Sequence, residues 1–90
     1  MQIGDKVSFD HDGLTGTGTI LCIDLYSRGN SNWVIKLDGD PDKGWSRDFD
    51  SPIHAVFKEK YPHLGYIRGL WSVPERKLKS MLTPKGNRRI

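Results

Sequence analysis

Apolar and polar residues alternate over two stretches of the chain with the period of a half-buried β-strand. In "DKVSFD" Val7 and Phe9 share one face, and Lys6, Ser8 and Asp10 share the other. In "NWVIKLD" Trp33, Ile35 and Leu37 fall on one face. Between them, "TGTILCIDLY" is rich in Thr, Ile and Leu and too β-branched to favour a helix, so it reads as a strand. "HDGL" ahead of it is a turn of residues that tolerate positive φ, while "SRGNSN" and "GDPDKG" are loops dense in turn formers. The pattern changes at "DSPIHAVFKEKYPHLG". Ser51 suits an N-cap and Pro52 the first helical position, Ile53, Val56, Phe57 and Lys60 follow at helical spacing, and Pro62 stops the run. The spacing predicts one short helix over about residues 52–61, with the Ile53, Val56 and Phe57 stripe packed on the β core. "YIRGLWSVP" returns to strand, and "ERKLKSML" is a tight turn into a short last strand. The fold class expected is mainly β, five short strands in a small barrel with one inserted helix.

Both ends of the chain also carry a family likeness. "IGDKVSF" followed by "GTGTI" resembles the opening of SH3-like barrels, the KOW group included, where a Gly-Asp pair enters the first strand and a Gly-x-Gly turn starts the second. "NWVIKLDGD" resembles their third strand. "GLWSVPERKLKSM" resembles the close of many small barrel proteins, a Trp-x-Val-Pro strand, a one-turn 3₁₀ helix and a short strand with Leu. Small proteins of this pattern are frequent among bacteriophage genes. The resemblance covers residues 3–39 and 66–82 and leaves about 40–66 as an insertion. It implies a five-stranded SH3-like barrel over residues 1–82, and the charge of the remaining residues reads as a basic, flexible tail over 83–90. Its motifs are structural, so no site residues carry over with it.

A chain of 90 residues makes one domain with a limited core. The single cysteine, Cys22, lies in the apolar run "TILCIDL", can form no internal disulfide and reads as a small core hydrophobe. The N-terminus has no signal-peptide pattern, and no apolar run approaches the roughly 20 residues that span a bilayer, so a cytoplasmic protein with no membrane partner is expected. The net charge of +3 hides an asymmetry. Residues 1–74 hold eight Lys or Arg against ten Asp or Glu, whereas residues 75–90 hold six against one. The basic character belongs to the C-terminal end, which points to an anionic partner there.

Candidate chemistry fails where it would make an enzyme. "GLTGTGTI" has the glycine gap of a phosphate-binding loop, but Thr19 and Ile20 stand where Lys and Ser/Thr belong. As a dinucleotide fingerprint it has Leu21 in place of the third glycine and opens a strand. Gly16 and Gly18 read instead as glycines that relieve a bend. In "DGDPDKGWSRDFD" Lys43 occupies the turn-glycine position of a calcium loop and Phe49 the place of the bidentate Glu. His11, His54 and His63 form no metal-binding pair, and no nucleophile elbow is present. No catalysis, cofactor or metal is expected.

The remaining constellation is aromatic and basic. Trp45 sits in a polar turn, where the core has little claim on it, and is expected to be partly exposed beside Arg47. Tyr61, Tyr66 and Arg68 extend this candidate surface. Arg76, Lys77, Lys79, Lys85, Arg88 and Arg89 supply phosphate contacts, so the first reading is a nucleic-acid-binding module. The alternatives are a phage-type protein that docks on a host protein through the segment 40–66, as an inhibitor or adaptor in counter-defence, and an oligomer that captures an anionic nucleotide with Trp45, Arg47 and Arg68.

Overall fold

The computed structural model describes residues 1–81. Leu82 and the tail assigned to 83–90, with Lys85, Arg88 and Arg89, lie outside the described residues. Six antiparallel strands form one open sheet: β1 (Lys6–His11), β2 (Leu14–Ile23), β3 (Asn32–Leu37), β4 (Trp45–Asp48), β5 (Tyr66–Pro74) and β6 (Leu78–Ser80). Their order is β4-β5-β3-β2-β1-β6, which makes β4 and β6 the two edges. One α-helix, α1 (Ala55–Lys60), follows a single 3₁₀ turn at Pro52–His54. The fold is mainly β, as the alternation predicts, but it has six strands where that pattern predicts five. The additional strand is β4. Its buried side carries Trp45 and Arg47, and an inward arginine disguises the alternation as a polar turn.

The β1–β2 hairpin turns on Asp12 (φ 55°) and Gly13 (φ 86°), the two left-handed residues of a type I′ turn, whose twist matches the strands it joins. The two-residue turn sets the register, with His11 opposite Leu14, Asp10 opposite Thr15, Phe9 opposite Gly16 and Ser8 opposite Thr17. Gly16 and Gly18 therefore lie inside β2 and not at a bend. Gly18 is needed for another reason: a Cβ there would come within 2.5 Å of Ile35 Cγ2 and of the Lys36 carbonyl oxygen. At Gly16 a Cβ would meet only Phe9 Cζ, at an ordinary 3.9 Å.

The irregularity in β2 comes later. Ile20 pairs with Ile35 but Cys22 pairs with Val34, so two residues of β2 oppose one of β3. Such a bulge turns the side chains that follow it to the other face of the sheet. Ile20 accordingly joins a core of Val7, Phe9, Ile35, Leu37, Val73 and Leu78. Cys22 joins a second core of Val34, Phe49, Phe57, Tyr61 and Leu70. Trp33, Ile35 and Leu37 share the first core as expected, yet Val34 is fully buried as well, because the segment around α1 covers the opposite face of β3. Of the predicted helical stripe only Phe57 is buried, edge-on to Phe49 and Tyr26 at ring-centroid distances of 5.4 and 5.0 Å. Ile53 and Val56 are 79% and 59% exposed. A helix this short presents one residue to the slot between Phe49 and Tyr26, and Phe57 fills it. Among the described residues no helix is long and apolar enough to cross a membrane.

Candidate functional site

Two regions hold the residues that the sequence singles out. The first is the cover over the second core, where β4 places Trp45 and Arg47 on its inner side. The Arg47 side chain is only 10% exposed. Its guanidinium lies over four rings, those of Phe57 (4.3 Å), Trp45 (4.6 Å), Tyr26 (5.3 Å) and Phe49 (5.6 Å). All four distances are within cation–π range. One nitrogen, Nη2, stands 3.9 Å from Asp24 Oδ1, while Nη1 is buried and has no hydrogen-bond partner among the described residues. Asp24 is itself buried and fully engaged. It accepts from the Tyr26 backbone N–H at 3.1 Å and from the Ser72 hydroxyl at 2.7 Å. Cys22 shares this neighbourhood. Its burial pushes the thiol up to about 12, against the pull of Arg47 and with the help of Asp24, so it stays protonated and inert.

These placements change the meaning of several predicted contact residues. Trp45 is half-buried, as expected, but its ring packs on the second core and on Arg47. Arg47 has no free face to offer an anion, since its own protein's rings enclose it. Tyr61 is 9% exposed and accepts a hydrogen bond from the Ile23 backbone N–H, so it is a core residue. Arg68 is exposed but pairs with Asp42, and Lys58 pairs with Asp50. Tyr66 is exposed at the start of β5, opposite Asp48.

The second region is the polar face of β2, β1 and β6. The hairpin register puts Thr17 beside Ser8, and the β1–β6 pairing puts Ser8 beside Lys79. Side chains directly opposite one another in a sheet project from the same face, so Thr17, Ser8 and Lys79 form one row. Asp10 and Thr15 form the next. The 3₁₀ turn Glu75–Lys77 ahead of β6 adds Arg76 and Lys77. Together these residues line a groove of about 580 Å³. A smaller cavity of about 230 Å³ adjoins it, shares Phe9, Thr15, Gly16 and Thr17, and reaches Lys43. Within ion-pair distance of Arg76, Lys77 and Lys79 there is no carboxylate among the described residues. Asp10, the one acid that lines the groove among the described residues, accepts from the Thr15 hydroxyl at 3.0 Å. At its border, Asp38 accepts from Thr17 at 2.8 Å and from Lys6 at 2.6 Å. Those two hydrogen bonds, the Lys6 ammonium first and the Thr17 hydroxyl second, hold the Asp38 carboxyl below its ordinary range.

The structure thus brings Arg76, Lys77 and Lys79 to one groove and leaves Trp45, Arg47, Tyr61, Tyr66 and Arg68 outside it. Sequence reasoning passed over Ser8, Thr15 and Thr17. A signal for them exists in the chain: the Asp-Gly turn implies the pairing of 8 with 17 and of 10 with 15. No family model matches the chain, and neither a curated protein nor a solved structure matches it.

Proposed function

We propose that the chain is a non-enzymatic module that binds nucleic acid across the β2–β1–β6 groove, on an architecture of the SH3-like, KOW-like kind that its two ends resemble. The observation that carries this reading is the set of three cations at the groove, Arg76, Lys77 and Lys79, with no carboxylate in ion-pair distance among the described residues. An unpaired cation on a surface keeps its full attraction for phosphate and releases counterions when it binds. Lys85, Arg88 and Arg89 follow in the chain and add charge of the same sign.

Fluorescence titration of labelled single- and double-stranded oligonucleotides at low and moderate salt tests the reading. Binding should fall steeply with salt, by roughly a 2.7-power law in salt concentration for a duplex and roughly a 2.1-power law for a single strand if only three phosphates are neutralised. Replacing Arg76, Lys77 and Lys79 together by Glu should abolish it with the unfolding midpoint unchanged. The triple replacement of Lys85, Arg88 and Arg89 by Ala, in the full chain, measures the share of the C-terminal residues. No binding at low salt would sink the reading.

A second reading has its own observation. Ile53, Val56 and Tyr66 are exposed on the segment 40–66. Exposed apolar residues of this kind suit docking on a protein, which is the phage-type alternative. Replacing Ile53 and Val56 by Ser would then remove capture of that partner and leave oligonucleotide titrations unchanged.

A further inference from the structure

We infer that the groove reads the sugar–phosphate backbone and not the bases, so that binding is independent of sequence. The inference rests on the nucleic-acid reading above and adds the mode of recognition.

The chemistry of the groove walls carries it. Ser8, Arg76, Lys77 and Lys79 offer hydroxyl, guanidinium and ammonium donors, the groups that hold phosphate oxygens, while the Thr15 and Thr17 hydroxyls already donate to Asp10 and Asp38. Among the described residues no Asn or Gln lines the groove, so they supply none of the amide pairing that identifies adenine. Stacking, the other way to hold a base, needs an exposed ring. The chain has three Trp, three Tyr and three Phe, all within residues 1–81. Only Phe9 lines the groove, and it is 4% exposed. The other rings are committed elsewhere. Trp33 packs on the first core and donates its indole N–H to Glu75 at 2.8 Å, and Trp71 packs there too and donates to the His11 carbonyl at 3.0 Å. Trp45, Phe49 and Phe57 surround Arg47 together with Tyr26, which is 54% exposed but lies between β2 and β3 and does not line the groove, and Tyr61 is buried. Tyr66 is exposed but lies on β5, three places from β1 in the strand order. A strand laid along Arg76, Lys77 and Lys79 therefore meets donors for its phosphates and no ring for its bases.

The test compares four single strands of equal length at one low salt concentration, using the full chain: all-adenine, all-cytosine, alternating thymine–guanine, which offers the base edge that Arg and Lys read most often, and an abasic sugar–phosphate strand. The expected result is affinities that agree within about fivefold, less than one stacked base is worth. Lys79→Ala should weaken all four by a common factor and lower the salt slope by about 0.7. An abasic strand that binds more than about fivefold more weakly than the others overturns the inference, because a base is then being held. So does a Lys79→Ala loss that differs among the four strands. If neither the four strands nor a duplex binds, the nucleic-acid reading itself falls and the inference with it, whereas base-dependent affinity, or binding of a duplex alone, removes the inference alone.

Discussion

The cover over the second core and the β2–β1–β6 groove are made of similar materials and end as opposite surfaces. Both gather cations on one part of the sheet. In the cover, Arg47, Lys58 and Arg68 each find a carboxylate, and Arg47 is closed in by four rings. In the groove, Arg76, Lys77 and Lys79 find none among the described residues. The difference teaches that an aromatic–basic constellation says little until its internal pairings are known. A cation already neutralised inside the protein contributes to stability, and an unneutralised one at a groove is available to a ligand.

The largest expected effect is at the centre of the cover. Arg47→Ala removes the group between four rings and leaves Asp24 buried without its cation, so chemical unfolding should show a loss of about 2–4 kcal/mol. Arg47→Met refills the volume without the charge and should recover most of that loss, because a buried ion pair is often no better than a hydrophobic isostere. If Arg47→Ala cost nothing, the two regions would be alike in kind. Next come the glycines behind the groove. Gly18→Ala drives a methyl onto Ile35 and the Lys36 carbonyl and should cost about 1–3 kcal/mol, while Gly16→Ala should stay within about 0.5 kcal/mol. Thermal melts of the two variants separate a position set by β2–β3 packing from one where a methyl meets only an ordinary contact with Phe9.

Smaller again is Arg68→Ala. Its pair with Asp42 is exposed on both sides, so stability should move by no more than about 0.5 kcal/mol. Oligonucleotide affinity should not move, and an affinity loss matching that of Lys79→Ala would erase the contrast between the regions. The smallest effect is in the acid limb of the stability profile. Asp38 is held below its ordinary value in the folded chain, so in that range the unfolded chain binds more protons and stability rises with pH. The contribution is complete above the unfolded carboxylate value of about 3.9 and disappears as pH falls through the folded one. Asp38→Asn should flatten the dependence of the melting temperature below about pH 4, and an unchanged profile would show that Lys6 and Thr17 do not hold the carboxylate in solution.

Much of the strand content was legible in the chain because period-2 alternation survives wherever one face is wet. "DKVSFD" and "NWVIKLD" became β1 and β3 with the predicted faces inward. β4 was not legible, since Arg47 on its buried side is tolerated only by the rings and the Asp24 carboxylate that gather around it from other elements. The burial of Val34, opposite the Trp33, Ile35 and Leu37 face, was not legible for a related reason. The second core that covers it is assembled from Phe49, Phe57 and Tyr61, and no local pattern announces a sheet buried on both sides. Among the candidate contacts, Arg76, Lys77 and Lys79 were marked by a run of charge that the fold leaves intact. Trp45, Arg47 and Tyr61 were marked by residue type, and packing claimed them.

The chain by itself determined the β1–β2 hairpin. Asp12 and Gly13 take the left-handed backbone that a type I′ turn requires, and this pairs 8 with 17, 9 with 16 and 10 with 15. "GLTGTGTI" is the second half of that device, with Gly18 kept small by the approach of β3. Only the tertiary structure decided which residues meet across long separations. The docking of β6 on β1 sets Lys79 beside Ser8 and turns one wall into a groove, and the folding of the inserted segment sets Arg47 against Asp24. Those outcomes depend on which partners reach one another in space, and alternation along a chain carries no information about that.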